Sequence, residues 1–213
     1  GPVVVDLPKD VQNYSGTFKG EGKLAIPGYR KRLFAANNGH IEDNEAAEFF
    51  AMLRAAKRPL LYAGGGVINS DSSAQLREFA QAFEIPVVTT LMGIGAFDTT
   101  HDLSLRMLGM HGAAFANYAV DDCDFLIAVG ARFDDRVAGV PAKFAPNAKR
   151  IAHLDIDRAE INKVKRVHWS HIGQLDKALG TLTAYGKRTG FRADYSAWHA
   201  HVRELRTRHA MNY

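Results

Sequence analysis

The six-residue stretch FLIAVG, residues 125–130, decides the fold, because it is the clearest buried strand in the chain. Strands are also predicted at residues 60–63, 86–90 and 150–156. These runs are apolar rather than alternating, and segments with helical spacing separate them, which is typical of a parallel sheet covered on both faces. We therefore predict a doubly wound, Rossmann-like parallel α/β domain over residues 38–185.

The segments between the strands carry apolar residues at helical spacing. The first predicted helix begins near Glu42 and ends at Arg58, because Pro59 disfavours helical geometry in the residue before it. Ser72 and Gln75 have the spacing of a capping box and predict the start of a second helix. Further helices are predicted over residues 115–120 and 175–182.

The two ends of the chain do not fit this alternation. Residues 2–8 predict a short strand without a partner strand nearby, and residues 14–29 are glycine-rich and lack apolar periodicity, as in a connector. We interpret residues 1–37 as the end of an upstream pyrimidine-binding domain plus a linker. We interpret residues 186–213 as a linker and an amphipathic segment that leads toward a downstream domain.

Composition excludes several classes of protein. Apolar residues make up 46% of the chain and charged residues 23%, which is ordinary for a globular domain. No run of about 18 apolar residues predicts a membrane span, and a net charge of +4 without a nucleic-acid motif favours a solvated surface over nucleic-acid binding. The chain has a single cysteine, Cys123, which excludes an internal disulfide framework and favours a reducing, cytoplasmic compartment. We predict that Cys123 is a buried structural residue.

Five segments near the predicted strand ends carry residues suited to a ligand, and in parallel α/β sheets ligands bind beyond the carboxyl ends of the strands. Gly64, Gly65 and Gly66 allow the backbone to approach a phosphate and present N–H groups to it, or they form an ordinary tight turn. The usual nicotinamide fingerprint is absent, because Asn69 occupies the place of its third glycine and the next strand ends in threonines.

Methionine and glycine residues mark the next two segments, residues 90–95 and 107–112. They suit a flat, polarisable ring system, and the alternative is packing of methionine in the core. His111 has no second ligand at metal-binding spacing, so we predict no metal site there.

Charged side chains mark the last two segments. Arg132 and Arg136 follow the strongest strand, and together they can grip phosphate oxygens; a surface salt-bridge cluster is the alternative. Asp155 lies at the end of a further strand, where an acid can accept hydroxyl groups of a ribose or ribityl chain. Asp157 is suited to cap the helical turn that follows, and both roles can coexist.

The order and spacing of these five segments resemble the catalytic subunit of acetohydroxyacid synthase, also called acetolactate synthase. The resemblance covers about residues 1–180 and is strongest over residues 107–136. It implies the central, FAD-binding domain of a thiamine-diphosphate enzyme, a transferase that joins two 2-ketoacids with loss of carbon dioxide in branched-chain amino-acid biosynthesis.

The resemblance also implies which residues contact the cofactor. In the family, the positions of Arg136 and Met110 additionally face the active site, where the arginine helps to hold the incoming 2-ketoacid. No catalytic residue is expected within this chain. The positions that match the family's flavin contacts are Gly64, Gly65, Gly66, Thr90, Leu91, Met92, Leu108, Gly109, Met110, His111, Gly130, Arg132, Asp134, Arg136, Val137, Asp155 and Ile156.

Other features of the family are expected outside this chain. Its catalytic glutamate belongs to the upstream domain, and its Gly-Asp-Gly motif, which holds Mg²⁺ and thiamine diphosphate, belongs to the downstream domain. The chain contains no Gly-Asp-Gly, and Gln174 stands where the family usually has an acid. We therefore expect a fragment that binds FAD and is inactive alone, from a parent that is a homo-oligomer with a regulatory subunit.

The sequence leaves two other functions open. One is a nicotinamide-dependent or sirtuin-like domain on a related sheet, which NAD binding tighter than FAD binding would favour. The other is a structural module with an empty nucleotide cleft, which failure to bind any adenine nucleotide would favour.

Overall fold

Six parallel strands form one sheet in the computed structural model, which describes residues 4–17, 19, 28 and 40–210. The strands lie in the order β3-β2-β1-β4-β5-β6. They are β1 (Pro59–Ala63), β2 (Val87–Thr89), β3 (Ser104–Met107), β4 (Phe125–Val129), β5 (Arg150–Asp155) and β6 (Trp169–Ile172).

Helices connect and flank these strands. They are α1 (Lys9–Gln12), α2 (Asp43–Ala55), α3 (Gly65–Asn69), α4 (Ser73–Ala82), α5 (Ala114–Asp122), α6 (Asp135–Ala138), α7 (Leu175–Arg188) and α8 (Ser196–Arg208). Helix α7 packs against α2 and α4, whereas α8 packs against α5. Single 3-10 turns lie at Leu91–Gly93, Pro141–Lys143 and Arg158–Glu160. Among the described residues, no helix is both long and apolar enough to cross a membrane.

The sheet confirms the predicted doubly wound architecture. Strands β1 and β4 are buried at every position, which explains their uninterrupted apolar sequences. They are adjacent and parallel in the centre of the sheet, and the chain winds outward from them in both directions. The turns that follow β1 and β4 therefore leave a crevice between them, which is the usual place for a ligand in this kind of sheet.

Aromatic rings fill much of the core. Phe49 contacts Phe79 with ring centroids 6.0 Å apart, and Phe50 contacts Phe83 at 5.2 Å and Phe191 at 4.9 Å. These edge-to-face contacts lock α2, α4 and the segment after α7 together. Buried Cys123 confirms the prediction of a structural residue. Its thiol donates to the Val120 carbonyl, and burial raises its pKa.

The core continues beyond residue 185, where we expected a linker. The indole Nε1 of Trp198 donates to the Pro59 carbonyl at 2.9 Å, and the Tyr195 hydroxyl donates to the Leu53 carbonyl at 2.8 Å. Both side chains are buried, as are Val202 and Leu205 on the same helix. Residues 186–208 therefore pack as part of this domain, because the apolar face of α8 covers the ends of α2 and β1.

The strand predicted at residues 2–8 is wrong where the structure describes it. Residues 4–8 form no strand, and Val4 and Val5 are 93% and 73% exposed. A β-prone run needs a partner strand for its backbone groups, and none lies beside these residues among the described part of the chain. Most of the predicted connector, residues 14–29, lies outside the described residues.

The capping box predicted at Ser72 is also wrong. Ser72 precedes α4, but its hydroxyl interacts with the hydroxyl and carbonyl of Ser70 instead of the helix N–H groups. The nearby serine supplies partners that compete with the helix end. A reciprocal capping box forms instead at the start of α2, between Glu42 and Glu45.

Candidate functional site

A cleft of about 580 Å³ opens where the carboxyl ends of β1 and β4 meet. Residues from the segments at the ends of four strands, β1, β2, β4 and β5, line it, and most of the positions predicted from the sequence are among them. The lining residues are Tyr62, Gly64, Gly65, Gly66, Asn69, Thr90, Leu91, Met92, Gly130, Ala131, Arg132, Asp134, Arg136, Val137, Asp155, Asp157 and Glu160.

Glycines form the floor of the cleft, where the turns after β1 and β4 touch. The N–H of Gly64 donates to the Val129 carbonyl and the N–H of Gly66 to the Gly130 carbonyl, both at 2.9 Å. A Cβ on Gly64 would lie 2.2 Å from the Gly130 oxygen, and one on Gly66 would lie 2.7 Å from its Cα. The prediction that these N–H groups face a phosphate is therefore wrong for Gly64 and Gly66, whose backbone approaches another turn of the same chain.

Exposed apolar side chains form one side of the cleft. Thr90 caps the following 3-10 turn by accepting a hydrogen bond from Gly93, and its own N–H donates to the Ala63 carbonyl. This turn carries Leu91 and Met92, which are 69% and 72% exposed. Core packing therefore does not explain Met92, and the side chain is available to a ligand.

The loop after β3 lies next to the turn after β4. Asn117 holds this loop through both atoms of its amide, accepting from the Gly109 N–H at 2.8 Å and donating to the Gly109 carbonyl at 3.0 Å. The Met110 N–H donates to the Arg136 carbonyl at 3.3 Å, and the Met110 side chain is 69% exposed. The two loops thus form one continuous surface beside the cleft.

Five predicted contacts do not line the main cleft. Gly109 and Met110 line a neighbouring cavity of about 390 Å³, and His111 lines a third of about 220 Å³. Leu108 is buried in the core, and Ile156 is 54% exposed outside the cleft. Val137 lines both the main cleft and its neighbour, so the first two cavities adjoin.

The turn after β4 supplies two guanidinium groups. Arg132 donates to the Asp134 carboxylate at 2.9 Å and is 66% exposed, and Arg136 is also exposed in the cleft. The pKa of Asp134 is lowered, above all by its interaction with the adjacent Asp135 carboxyl group and also by the charge of Arg132. Arg132 therefore forms a surface salt bridge and also faces the cleft, so both interpretations of this residue hold.

Carboxylates line the cleft at the carboxyl end of β5. Asp155 is 8% exposed, accepts a hydrogen bond from the Asp157 N–H at 2.9 Å, and lies 3.6 Å from the Nε2 of buried His153. Asp157 accepts from the Ala159 N–H at 2.8 Å, which confirms the predicted cap, and it lines the cleft as well. Glu160 extends this acidic lining.

The sequence interpretation missed several lining residues. Tyr62 belongs to an apolar strand and gave no signal other than its position near the strand end. Asn69 and Glu160 lie in helical turns that only the tertiary fold brings to the cleft. Among the described residues, no three His, Cys, Asp or Glu side chains group as a metal site.

This arrangement has separate regions for different chemical groups. The arginines can bind an anion, the carboxylates can accept hydroxyl groups, and the exposed Leu91 and Met92 offer a polarisable surface to a ring. The glycines at the floor have no side chains, so they leave the centre of the crevice unfilled. Together these groups can complement an anion, hydroxyl groups and a flat ring.

Comparisons with known proteins agree in assigning the chain to one group. Residues 46–182 match the family described as thiamine pyrophosphate enzyme, central domain. Acetolactate synthase 1, chloroplastic, from Nicotiana tabacum is 42% identical over 215 residues, which cover 100% of this chain and 31% of the relative.

Two other relatives agree. The acetolactate synthase large subunit of Corynebacterium glutamicum is 43% identical over 214 residues, with 100% of this chain and 33% of the relative covered. Acetolactate synthase, chloroplastic, from Arabidopsis thaliana is 41% identical over 200 residues, 93% of this chain and 29% of the relative. The chain thus spans about a third of the length of these relatives.

Proposed function

Because the chain belongs to the family of thiamine pyrophosphate enzyme central domains, we propose that its cleft binds FAD in an extended conformation. The observation that carries this proposal is the single cleft that combines Arg132 and Arg136 with the carboxylates at the carboxyl end of β5. A flavin dinucleotide presents a diphosphate, several hydroxyl groups and a flat ring, and these are the groups that the cleft can complement.

Each part of the cleft has a role in this proposal. Arg132 and Arg136 bind the diphosphate, since guanidinium groups make charge-assisted hydrogen bonds to phosphate oxygens. Asp155 accepts hydroxyl groups of the ribityl or ribose part, and its buried position keeps it oriented. The exposed Met92 and Met110 face the ring. Leu108, His111 and Ile156 lie outside the main cleft, and their contacts with the flavin stay predictions from the family.

For the parent protein, we propose the acetolactate synthase reaction, in which two 2-ketoacids are joined with loss of carbon dioxide. Two relatives named acetolactate synthase match this chain over its whole length, and their similarity supports this proposal. Thiamine diphosphate with Mg²⁺ would supply the carbanion chemistry there. Arg136 and Met110 would border the ketoacid, and the parent would be a homo-oligomer with a regulatory subunit. A cytoplasmic location also stays a proposal, since several relatives are named chloroplastic.

The test is a titration of the purified chain with FAD, followed by flavin fluorescence, with NAD and ADP as comparison ligands. Arg132→Ala is expected to weaken FAD binding roughly tenfold, because a hydrogen bond to a charged group contributes about 1.5 kcal/mol. Arg203→Ala, at an exposed position on α8, is the matched control and should bind like the wild type.

Three outcomes would contradict the proposal. NAD binding tighter than FAD would favour a nicotinamide-dependent domain. A folded chain that binds no adenine nucleotide would favour a structural module. FAD binding that Arg132→Ala leaves unchanged would remove the diphosphate site from this cleft.

A further inference from the structure

The turn that carries both cleft arginines is tied to the sheet by a buried tyrosine. Tyr62 lies in β1, one residue before its end, and its side chain is fully buried. Its hydroxyl donates a hydrogen bond of 2.8 Å to the backbone carbonyl of Arg132. A tyrosine hydroxyl is a neutral donor at physiological pH, and burial raises its pKa further. The hydrogen bond joins residues that are 70 positions apart in the chain.

Packing of an aromatic ring in the core also fixes this turn. Phe133, directly after Arg132, is 4% exposed. Its ring centroid lies 5.7 Å from that of Tyr62, 5.9 Å from that of Phe144 and 5.4 Å from that of His153. Phe133 therefore points into the domain while its neighbour Arg132 points into the cleft. The backbone between them is held both by ring packing and by the tyrosine hydroxyl.

The contacts of the Arg132 side chain do little to fix its position. It is 66% exposed, and its described side-chain partner is the Asp134 carboxylate, which lies in the same turn. An exposed arginine has many rotamers, so its guanidinium group can meet a ligand reproducibly only if the backbone that carries it is fixed. The contacts that supply this fixation come from Tyr62 and Phe133.

We propose that Tyr62 is a positioning residue of the cleft, whose buried hydroxyl holds the Arg132 carbonyl and thereby sets where the Arg132 guanidinium meets the anionic part of a bound nucleotide. This inference rests on the proposed nucleotide-binding function. In this role, the Tyr62 hydroxyl affects the affinity for the nucleotide indirectly, because it positions Arg132.

The test is a double-mutant cycle of FAD affinity with Tyr62→Phe, Arg132→Ala and the double variant. Tyr62→Phe keeps the ring and its packing and removes only the hydrogen bond. We expect it to weaken FAD binding by about three- to tenfold in the wild-type background. In the Arg132→Ala background it should weaken binding less than about twofold, because the group it positions is gone.

The protein contains a matched control for the loss of a buried hydroxyl. Tyr195 is buried and donates to the Leu53 carbonyl at 2.8 Å, but it does not line the cleft. Tyr195→Phe should lower stability by a similar amount and leave FAD affinity unchanged. If Tyr62→Phe leaves affinity unchanged, or weakens it equally in both Arg132 backgrounds, the positioning role is overturned.

A measurement without ligand separates this inference from the proposed function. Backbone amide hydrogen exchange over residues 131–137 should be faster in Tyr62→Phe than in the wild type and unaffected in Tyr195→Phe. Unchanged exchange overturns the tether whether or not FAD binds. A wild-type chain that binds neither FAD nor ADP overturns the proposed function and the nucleotide role of Tyr62, and faster exchange would then support the tether of the turn alone.

Discussion

At the scale of single residues, the cleft depends on glycines at the point where two strand-end turns touch. Gly64 donates its N–H to the last residue of β4 and Gly66 donates to the turn that follows, and neither position has room for a Cβ. The tight-turn alternative therefore accounts for these two residues better than direct phosphate contact does. Their contribution to a ligand site is indirect, since they bring the two walls of the cleft together.

Gly64→Ala tests this directly. The new methyl group would collide with the Gly130 carbonyl, so we expect a loss of about 1 to 3 kcal/mol in the free energy of unfolding, measured by urea denaturation. Gly180→Ala is the matched control, because a Cβ there has open space within a helix and should stabilise by up to about 1 kcal/mol. Equal stability of the two variants would contradict the packing argument.

A single histidine predicts a pH dependence of stability. The Nδ1 of His168 accepts a hydrogen bond from the Ile151 N–H at 3.1 Å, which requires that nitrogen to be unprotonated. Desolvation, with the charges of Arg150 and Arg166, lowers the pKa of His168 below its ordinary value of 6.5. Below pH 6.5 the unfolded chain therefore binds more protons at this site than the folded chain does.

The contribution of His168 to the free energy of unfolding should thus be complete above pH 6.5. It should decrease as the pH falls toward the lower pKa of the folded state. His168→Asn keeps an acceptor for the Ile151 N–H and removes the titration. Urea denaturation at pH 7.5 and at pH 5.5 should show a smaller acid loss for this variant than for the wild type. Equal losses would show that His168 does not contribute.

At the scale of elements, helix α8 is a structural part of the domain. Trp198 is 1% exposed and donates to the Pro59 carbonyl at the start of β1. Trp198→Ala should cost about 3 to 5 kcal/mol of unfolding free energy, since it leaves a large cavity and an unpaired carbonyl. Exposed Arg203 on the same helix is the control, and Arg203→Ala should change stability by less than about 0.5 kcal/mol. Similar stabilities would mean that α8 only rests on the domain.

Elements at the centre of the sheet were predictable from the sequence, whereas those at its edges were not. Strands β1 and β4 are buried on both faces, so their residues are uniformly apolar. Edge strands β3 and β6 contain both exposed and buried residues, and no uniform apolar run marks them. Helix α3 was missed because two glycines begin it, and glycine is a poor helix former.

At the scale of the whole molecule, the cleft is a consequence of sheet order. Chain segments from Tyr62 to Glu160 converge there because β1 and β4 are neighbours in space. The family match over residues 46–182 and the similarity to acetolactate synthases confirm the resemblance and the fold class that the sequence predicted. The assignment of the two ends of the chain to neighbouring domains and the individual flavin contacts stay predictions.

Binding to the folded cleft should stabilise the whole domain. At an FAD concentration of about a hundredfold over Kd, the linkage contributes about 2.7 kcal/mol. For a chain of this size the melting temperature should rise by about 5 to 10 °C, measured by circular dichroism. ADP at the same concentration should give a smaller rise, because it lacks the ring and ribityl groups. A melting temperature that FAD leaves unchanged would contradict binding to the native state.

The sequence by itself determined the alternation of strands and helices, the family, and the residue types available for a ligand. These properties follow from local periodicity and from motifs whose residues lie close together in the chain. The tertiary structure alone decided that Gly64 and Gly66 pack on Gly130, that Tyr62 holds Arg132, and that α8 completes the core. The physical reason is distance along the chain, because contacts between residues tens of positions apart depend on the strand order and on side-chain packing, which no local pattern encodes.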